Sequence, residues 1–148
     1  MANPSGISFR NALNSIGTHF RNHITTNTYI SSVPSGVALP ALRLTHISSE
    51  NIPGGFQGLL ASGFRGYLVS ERIQVDVFAR SGSERDTYYD SITKTLMKRA
   101  NTLIKSGIKD PRIINPVDVP FDNKNPFRYY QKSMDLVFYH LIVVSGLS

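Results

Sequence analysis

The chain has 148 residues, a formal net charge of +6 and no cysteine. This length predicts a single domain over residues 1–148, and the lack of cysteine excludes disulfides, thiolate metal sites and thiol catalysis. No segment reaches the roughly 20 apolar residues of a membrane-spanning helix. The first residues show no basic segment followed by an apolar one, as a signal peptide would. We therefore expect a protein made in the cytoplasm, with no membrane partner.

The positive charge has two interpretations. The sixteen Lys and Arg residues are scattered along the chain and never form a run of four. Such a distribution is typical of an ordinary basic protein. The alternative is a partner of negative charge, either nucleic acid or an acidic protein surface.

The first periodic segment predicts an amphipathic helix. Large apolar residues recur from Phe9 to Ile24 at spacings of three and four, which places them on one helical face. Ser5 or Ser8 could cap its start, because a short hydroxyl side chain accepts a free backbone N–H. A helix with one apolar face must pack on another layer, which here is expected to be a sheet.

Two predicted strands follow a connector at 25–37. Residues 40–48 and 66–80 alternate apolar and polar side chains, the pattern of strands with one buried face. The second strand turns its apolar residues, Ile73 and Val75 among them, towards a core. Its other side is expected to face water and carries Arg72, Gln74 and Asp76.

The segment between these strands, at 49–66, contains five glycines and one proline and predicts a long loop. It also carries large apolar side chains, which need to be covered. Either a small cluster on the same domain or a neighbouring subunit could cover them. The candidates for subunit contact in and beside this loop are Phe56, Leu59, Phe64 and Arg65.

Residues 81–107 predict a second amphipathic helix. The pair Ser83 and Asp86 resembles a capping box at its start, and Gly107 is expected to end it. The predicted buried stripe consists of Tyr89, Ile92, Leu96, Ala100 and Leu103, with Met97 and Ile104 on its flank. The opposite, water-facing side carries Asp90, Lys94, Lys98, Asn101 and Lys105.

The C-terminal part predicts a short strand at 112–120, interrupted by Pro116, then a turn and a long strand at 127–144. Together these elements predict an α+β fold: a mostly antiparallel sheet of about four strands with two amphipathic helices packed on one face.

The sequence shows no residue pattern typical of catalysis or cofactor binding. His19 and His23 have the spacing of a metal-binding pair on a helix, but no third ligand lies nearby in the sequence. Glu71 and Asp76 are five positions apart, so a regular strand points them to opposite faces. Phosphate-binding loops and nucleophile elbows are absent. We expect no catalytic residue, no metal and no cofactor, and thus no enzyme.

Aromatic and basic residues are interleaved near the last strand, at Phe127, Arg128, Tyr129 and Tyr130. Such a mixture can stack on single-stranded nucleic acid. It is also the composition of subunit interfaces. Both interpretations remain, and the four residues are kept as candidates for a subunit interface.

The order of elements over residues 5–144 resembles the tail terminator, or tail completion, proteins of long-tailed bacteriophages. The passage that carries the resemblance is RIQVDVFAR at 72–80, followed by SGSERDTYYDSITKTLMKRANTLI at 81–104. In that family a similar strand leads into a helix in this way.

The resemblance implies a homo-oligomeric ring, usually a hexamer, that caps the tail tube, ends its polymerisation and joins the tail to the head connector. Its partners would be copies of itself, the tail tube protein, the head–tail connector protein and DNA that passes through the channel without sequence readout. The strands at 66–80 and 127–144 would build the ring, and the segments 49–66 and 118–128 would contact neighbouring rings. The location would be the virion. The alternatives are a head completion or stopper protein and a small basic protein that binds single-stranded nucleic acid.

Overall fold

The computed structural model describes residues 7–24, 27–33, 37–52, 58–59, 64–98, 100–120 and 129–145. Within them the chain forms three helices, α1 (Phe9–Ile24), α2 (Gly82–Lys98) and α3 (Ala100–Lys105). The six strands are β1 (Asn27–Ile30), β2 (Ala41–Asn51), β3 (Gly58–Leu59), β4 (Phe64–Ala79), β5 (Lys109–Val119) and β6 (Tyr130–Ser145).

The strands form one sheet in the order β1-β2-β4-β6-β5, and the short β3 pairs with β4 beside them. All pairs are antiparallel except β1 with β2. The two central strands, β4 and β6, pair along their whole length, from Phe64 opposite Ser145 to Ala79 opposite Tyr130. The predicted α+β class and the mostly antiparallel sheet are confirmed.

The core lies between the helices and one face of the sheet. Alternation along β4 directs Ile73, Val75 and Val77 to this face, and all three are fully buried. The helices contribute Leu13, Ile16, Phe20, Ile92, Leu96 and Leu103, while β6 contributes Met134, Leu136 and Phe138. No helix of the described part is long and apolar enough to cross a membrane.

The sheet has more strands than the sequence predicts. The predicted connector at 25–37 contains β1, which runs parallel to the first residues of β2. The strand predicted at 112–120 begins earlier, at Lys109, and its register on β6 shifts between Ile114 and Val117. Pro116 lies in this shift, so the predicted interruption is confirmed as a local irregularity within a longer strand.

The helix ends are set by short-range hydrogen bonds. At α1 the Ser8 hydroxyl accepts a hydrogen bond from the N–H of Asn11 at 3.2 Å. Of the two predicted caps, Ser5 and Ser8, this confirms Ser8. At α2 the predicted cap is wrong, because the hydroxyl of Ser81, not that of Ser83, accepts the N–H of Glu84 at 3.1 Å. The Glu84 carboxylate in turn accepts the N–H of Arg80 at 3.0 Å.

The predicted helix over 81–107 is represented by α2 and α3, between which Arg99 lies outside the described residues, and the helical part ends as expected at Gly107. This glycine has a φ of +93°, and the N–H of Ile108 reaches back to the carbonyl of Leu103 at 3.0 Å. Such a left-handed residue followed by a six-to-one bond is a Schellman ending. Met97 and Ile104, which were predicted to flank the buried stripe, have side chains that are more than half exposed.

Candidate functional site

The sheet face that no described helix covers carries a set of linked polar side chains, which we call the open face. The alternation along β4 places Arg72, Gln74 and Asp76 on it, as predicted. The expectation that Asp76 faces water is wrong, since its side chain is fully buried. Its neighbours on adjacent strands cover it, and those neighbours are themselves polar.

Four side chains donate hydrogen bonds to the Asp76 carboxylate. Arg43 on β2 donates from Nε at 2.9 Å and from Nη2 at 2.7 Å, both to Oδ2. Gln74 at 2.8 Å and Gln131 at 3.3 Å donate to Oδ1, and Ser133 donates to the same oxygen. These bonds offset the loss of water around a buried charge.

A second ion pair joins the same two central strands. Arg72 on β4 donates from Nε and Nη2 to Oδ2 of Asp135 on β6, and the distance between Nε and Oδ2 is 3.0 Å. Both side chains are partly exposed. Each arginine of the two pairs is thus matched by a carboxylate, so this part of the open face carries no net positive charge.

A buried acid–histidine cluster lies on the core side of the sheet, near the start of α1. His140 is fully buried, and its Nε2 lies 2.9 Å from Oε1 of Glu71. The other carboxylate oxygen accepts the hydroxyl of Ser49 at 2.5 Å and lies 3.1 Å from Nε2 of His46. Phe9 packs on the His46 ring, with 4.2 Å between ring centroids.

The second nitrogen of His140 fixes the chain just before α1. His140 Nδ1 lies 2.8 Å from the carbonyl oxygen of Ile7, which can only accept, so Nδ1 carries a proton. A further proton must lie between His140 Nε2 and Glu71 for that contact to be a hydrogen bond. The N–H of Ile7 completes the attachment by donating to the carbonyl of Leu141 at 2.9 Å.

This cluster is not arranged for nucleophilic catalysis. In a serine triad the two ring nitrogens of the histidine face the hydroxyl and the carboxylate separately. Here the single atom His46 Nε2 faces both Ser49, at 2.9 Å, and Glu71. The geometry supports an attachment of the N-terminal segment to β6.

Aromatic and basic side chains contact one another at the end of the sheet near residue 130. Tyr129 packs edge-on against Phe78 at 5.2 Å, and the guanidinium of Arg43 lies 5.1 Å from the centre of the Phe78 ring. Lys132 lies 4.5 Å from the centre of the Tyr89 ring. These residues are engaged within the domain, so they offer few free rings for stacking on bases.

Lys132 also joins a group of charges that ties α2 to β5. Its Nζ lies 3.3 Å from Asp86 and 3.3 Å from Asp118, and Arg85 contacts the same two carboxylates. The hydrogen bond from Arg85, followed by that from Lys132, lowers the pKa of Asp86 below its usual value. The carboxylate is therefore held in its charged form at the start of α2.

The interface candidates fall into three groups. Phe56, Phe127 and Arg128 lie outside the described residues. Leu59 pairs with Arg65 across β3 and β4, and Phe64 pairs with Ser145 of β6. The remaining candidates lie on the open face or at the start of β6, and these are Arg72, Gln74, Asp76, Tyr129 and Tyr130.

The sheet ends in two edges that could accept further strands. On one side β5 is the last strand, and Val117 on it is 59% exposed. On the other side β1 covers β2 only from Ala41 to Leu44, and no described strand pairs with the outer side of β2 beyond that point. Ile47 in this uncovered stretch is 49% exposed.

The two helical histidines form no metal site with their described surroundings. The rings of His19 and His23 lie 4.6 Å apart by their centroids, and His19 is buried while His23 is exposed. No group of three or more His, Cys, Asp or Glu residues that could hold a metal ion occurs in the described ranges.

Comparison with known proteins yields no family. No family model and no curated protein matches this sequence. Among solved structures the fold is similar to a chain described as "Virion of native gene transfer agent (GTA) particle", with 12% identity and a TM-score of 0.41. The match covers 93% of this chain and 100% of that one. Likeness at this level does not assign the chain to a family.

Proposed function

We propose that this protein is a structural subunit of a virion, and more specifically a tail terminator. In this role copies of the chain form a ring, expected to be a hexamer, on the end of the tail tube. The ring stops tube polymerisation and joins the tail to the head connector. The observation that carries the proposal is the single sheet, in which no described strand pairs with the outer side of β5 or with the outer side of β2 beyond Leu44.

Open edges on opposite sides of one sheet suit head-to-tail association. The exposed N–H and C=O groups of an edge strand are templates for pairing with another chain. When each copy offers a different edge to its neighbour, the contact is heterologous, and such contacts close into rings if the rotation fits. Both edges also present a large exposed side chain, Val117 on β5 and Ile47 on β2.

The chemistry of the open face suits the lining of a channel for DNA. In a ring built through the sheet edges, this face can be turned to the central channel while the helices lie outside. Arg43 and Arg72 are both bound to carboxylates of the same face. DNA phosphates would therefore find little uncompensated positive charge there, and a passing duplex would not be held.

A small protein that binds single-stranded nucleic acid is not favoured by the described residues. That function requires aromatic rings and cations presented together on one surface. Phe78 is instead largely buried, with Arg43 and Tyr129 on it, and Lys132 is bound to two carboxylates.

Val117→Lys tests the role of the β5 edge. A lysine on an edge strand opposes pairing with another chain, so we expect the ring to give way to monomers. Multi-angle light scattering would report a mass near the 16.4 kDa of one subunit in place of a multiple of it.

Met97→Lys is the matched control, because it places the same charge at an exposed apolar position on the helical side. The control should assemble like the unchanged protein. If Val117→Lys also assembles normally, β5 is not the subunit contact and the proposed ring geometry is wrong.

A further inference from the structure

The surface of α2 and α3 has a feature that ring formation through the sheet does not use. Five large apolar side chains are exposed in the described part of the chain, namely Ile47, Met97, Ile104, Val117 and Tyr130. Three of them lie on strands of the sheet. The other two, Met97 at 77% exposure and Ile104 at 54%, lie on the helical layer.

Met97 and Ile104 both lie on the outer surface of the helical layer, away from the core. Leu96 in α2 and Leu103 in α3 are seven residues apart and both are buried in the core. Met97 and Ile104 each follow one of these leucines in the sequence, and both side chains are exposed on the outer surface.

Lysines flank the two apolar residues. From residue 91 to residue 108 the sequence has four basic residues and no acidic one. Lys94, Lys98 and Lys105 are exposed, and none of them forms an ion pair with another residue of the described part. Lysines near helix C-termini do complement the helix dipole, but the dipole does not account for exposed Met97 and Ile104.

We propose that the surface formed by Lys94, Met97, Lys98, Ile104 and Lys105, here called the lysine stripe, binds an acidic surface of another protein. Its layout is that of a docking patch, with apolar residues that can enter pockets and a charged rim. Methionine adapts its shape to such pockets. The partner then carries apolar pockets flanked by Asp or Glu, which complement the uniformly positive rim.

Two other partner classes fit the stripe less well. Nucleic acid would engage the lysines, but Met97 and Ile104 would gain nothing. None of the five described residues of the stripe is an aromatic residue or an arginine that could stack on bases. A membrane-surface helix needs a broad apolar face, usually with Trp, Phe or Leu. Two isolated apolar side chains between lysines do not form one.

The test uses the full-length protein and a synthetic helical peptide with Leu and Glu along one face. Fluorescence anisotropy of the labelled peptide should show binding that weakens strongly between about 50 mM and about 300 mM salt. Met97→Ser should weaken binding by roughly fivefold or more, since it removes most of a buried apolar contact. Lys98→Glu should weaken it by roughly tenfold or more.

Lys109→Glu is the matched charge control. Lys109 is exposed on β5 and pairs in register with Tyr139, away from the helical layer. This variant should bind the peptide like the unchanged protein. Light scattering of Met97→Ser should show unchanged assembly. A result against peptide binding by the lysine stripe is therefore distinguishable from a result against ring formation.

Three results would overturn the proposal. One is no binding of the peptide by the unchanged protein at low salt. Another is an equal loss of affinity in Lys98→Glu and Lys109→Glu, which would mean that only net charge matters. The third is tighter binding to duplex DNA or to phosphatidylglycerol vesicles that Met97→Ser leaves unchanged, which would assign the stripe to one of those partners.

Discussion

Asp76→Ala should lower the free energy of unfolding by about 3 kcal/mol, the scale for removing one member of a buried ion pair. The substitution removes the acceptor for four side chains and leaves Arg43 without its carboxylate. Arg43 is partly exposed and can turn to water, so the loss should lie at the low end for such a pair. Urea unfolding followed by circular dichroism measures it.

Asp135→Ala is the control on the same face. Asp135 also binds an arginine across β4 and β6, but both members of that pair are partly exposed. Partly exposed pairs contribute little because water and salt screen them, so the loss should be about 1 kcal/mol or less. Equal losses in the two variants would contradict the view that burial under its neighbours makes Asp76 structurally important.

Glu71→Ala should lower the free energy of unfolding by about 3–5 kcal/mol, since it leaves a fully buried histidine without its carboxylate. The hydrogen bond from the Ser49 hydroxyl to Glu71 and the contact between His46 Nε2 and Glu71 are lost at the same time. Because His140 also holds the carbonyl of Ile7, the damage should spread to the N-terminal segment. Amide hydrogen exchange at Ile7 should become much faster, in addition to the change in global stability.

Glu71→Gln is the companion variant, because its amide oxygen can still accept a hydrogen bond from His140 Nε2. It should lose less stability than Glu71→Ala and keep more protection at Ile7. In a double-mutant cycle, Glu71→Ala and His140→Ala should couple by about 1–3 kcal/mol, as contacting residues do. Additive losses would mean that the two side chains act separately and that the described cluster is not a unit.

The faces of the main elements could be predicted from the sequence, because they depend on local periodicity alone. Alternation along β4 correctly separated Ile73 and Val75 from Arg72, Gln74 and Asp76. The burial of Asp76 could not be predicted in the same way. It depends on Arg43 and Ser133, which lie 33 and 57 residues away and meet Asp76 only through the registers of β2 and β6.

The edge strands were harder to predict than the central ones. β1 has four residues, of which Thr28 alone is buried, so it has almost no apolar alternation. Its parallel pairing with β2 is a tertiary contact that local sequence does not specify. β5 contains two prolines and two register shifts, and both features hide a regular period.

The acid–histidine cluster was only partly predictable. His46 and His140 lie on the predicted strands at 40–48 and 127–144, so alternation limits each of them to one face of the sheet. The sequence gives no sign that His140 meets Glu71 and Ile7, since those contacts join residues 69 and 133 positions apart. Helical periodicity placed Met97 and Ile104 beside the buried stripe. It could not show whether their side chains would be covered at the edge of that stripe or exposed on an uncovered surface.

The central claim is that copies of this chain join through their sheet edges into a closed ring. Light scattering with negative-stain imaging of the purified protein over a range of concentrations tests it most directly. The account predicts closed rings, expected to hold six copies, with a central channel and a mass that is the matching multiple of 16.4 kDa. A protein that stays monomeric at every concentration and shows no ring would contradict it.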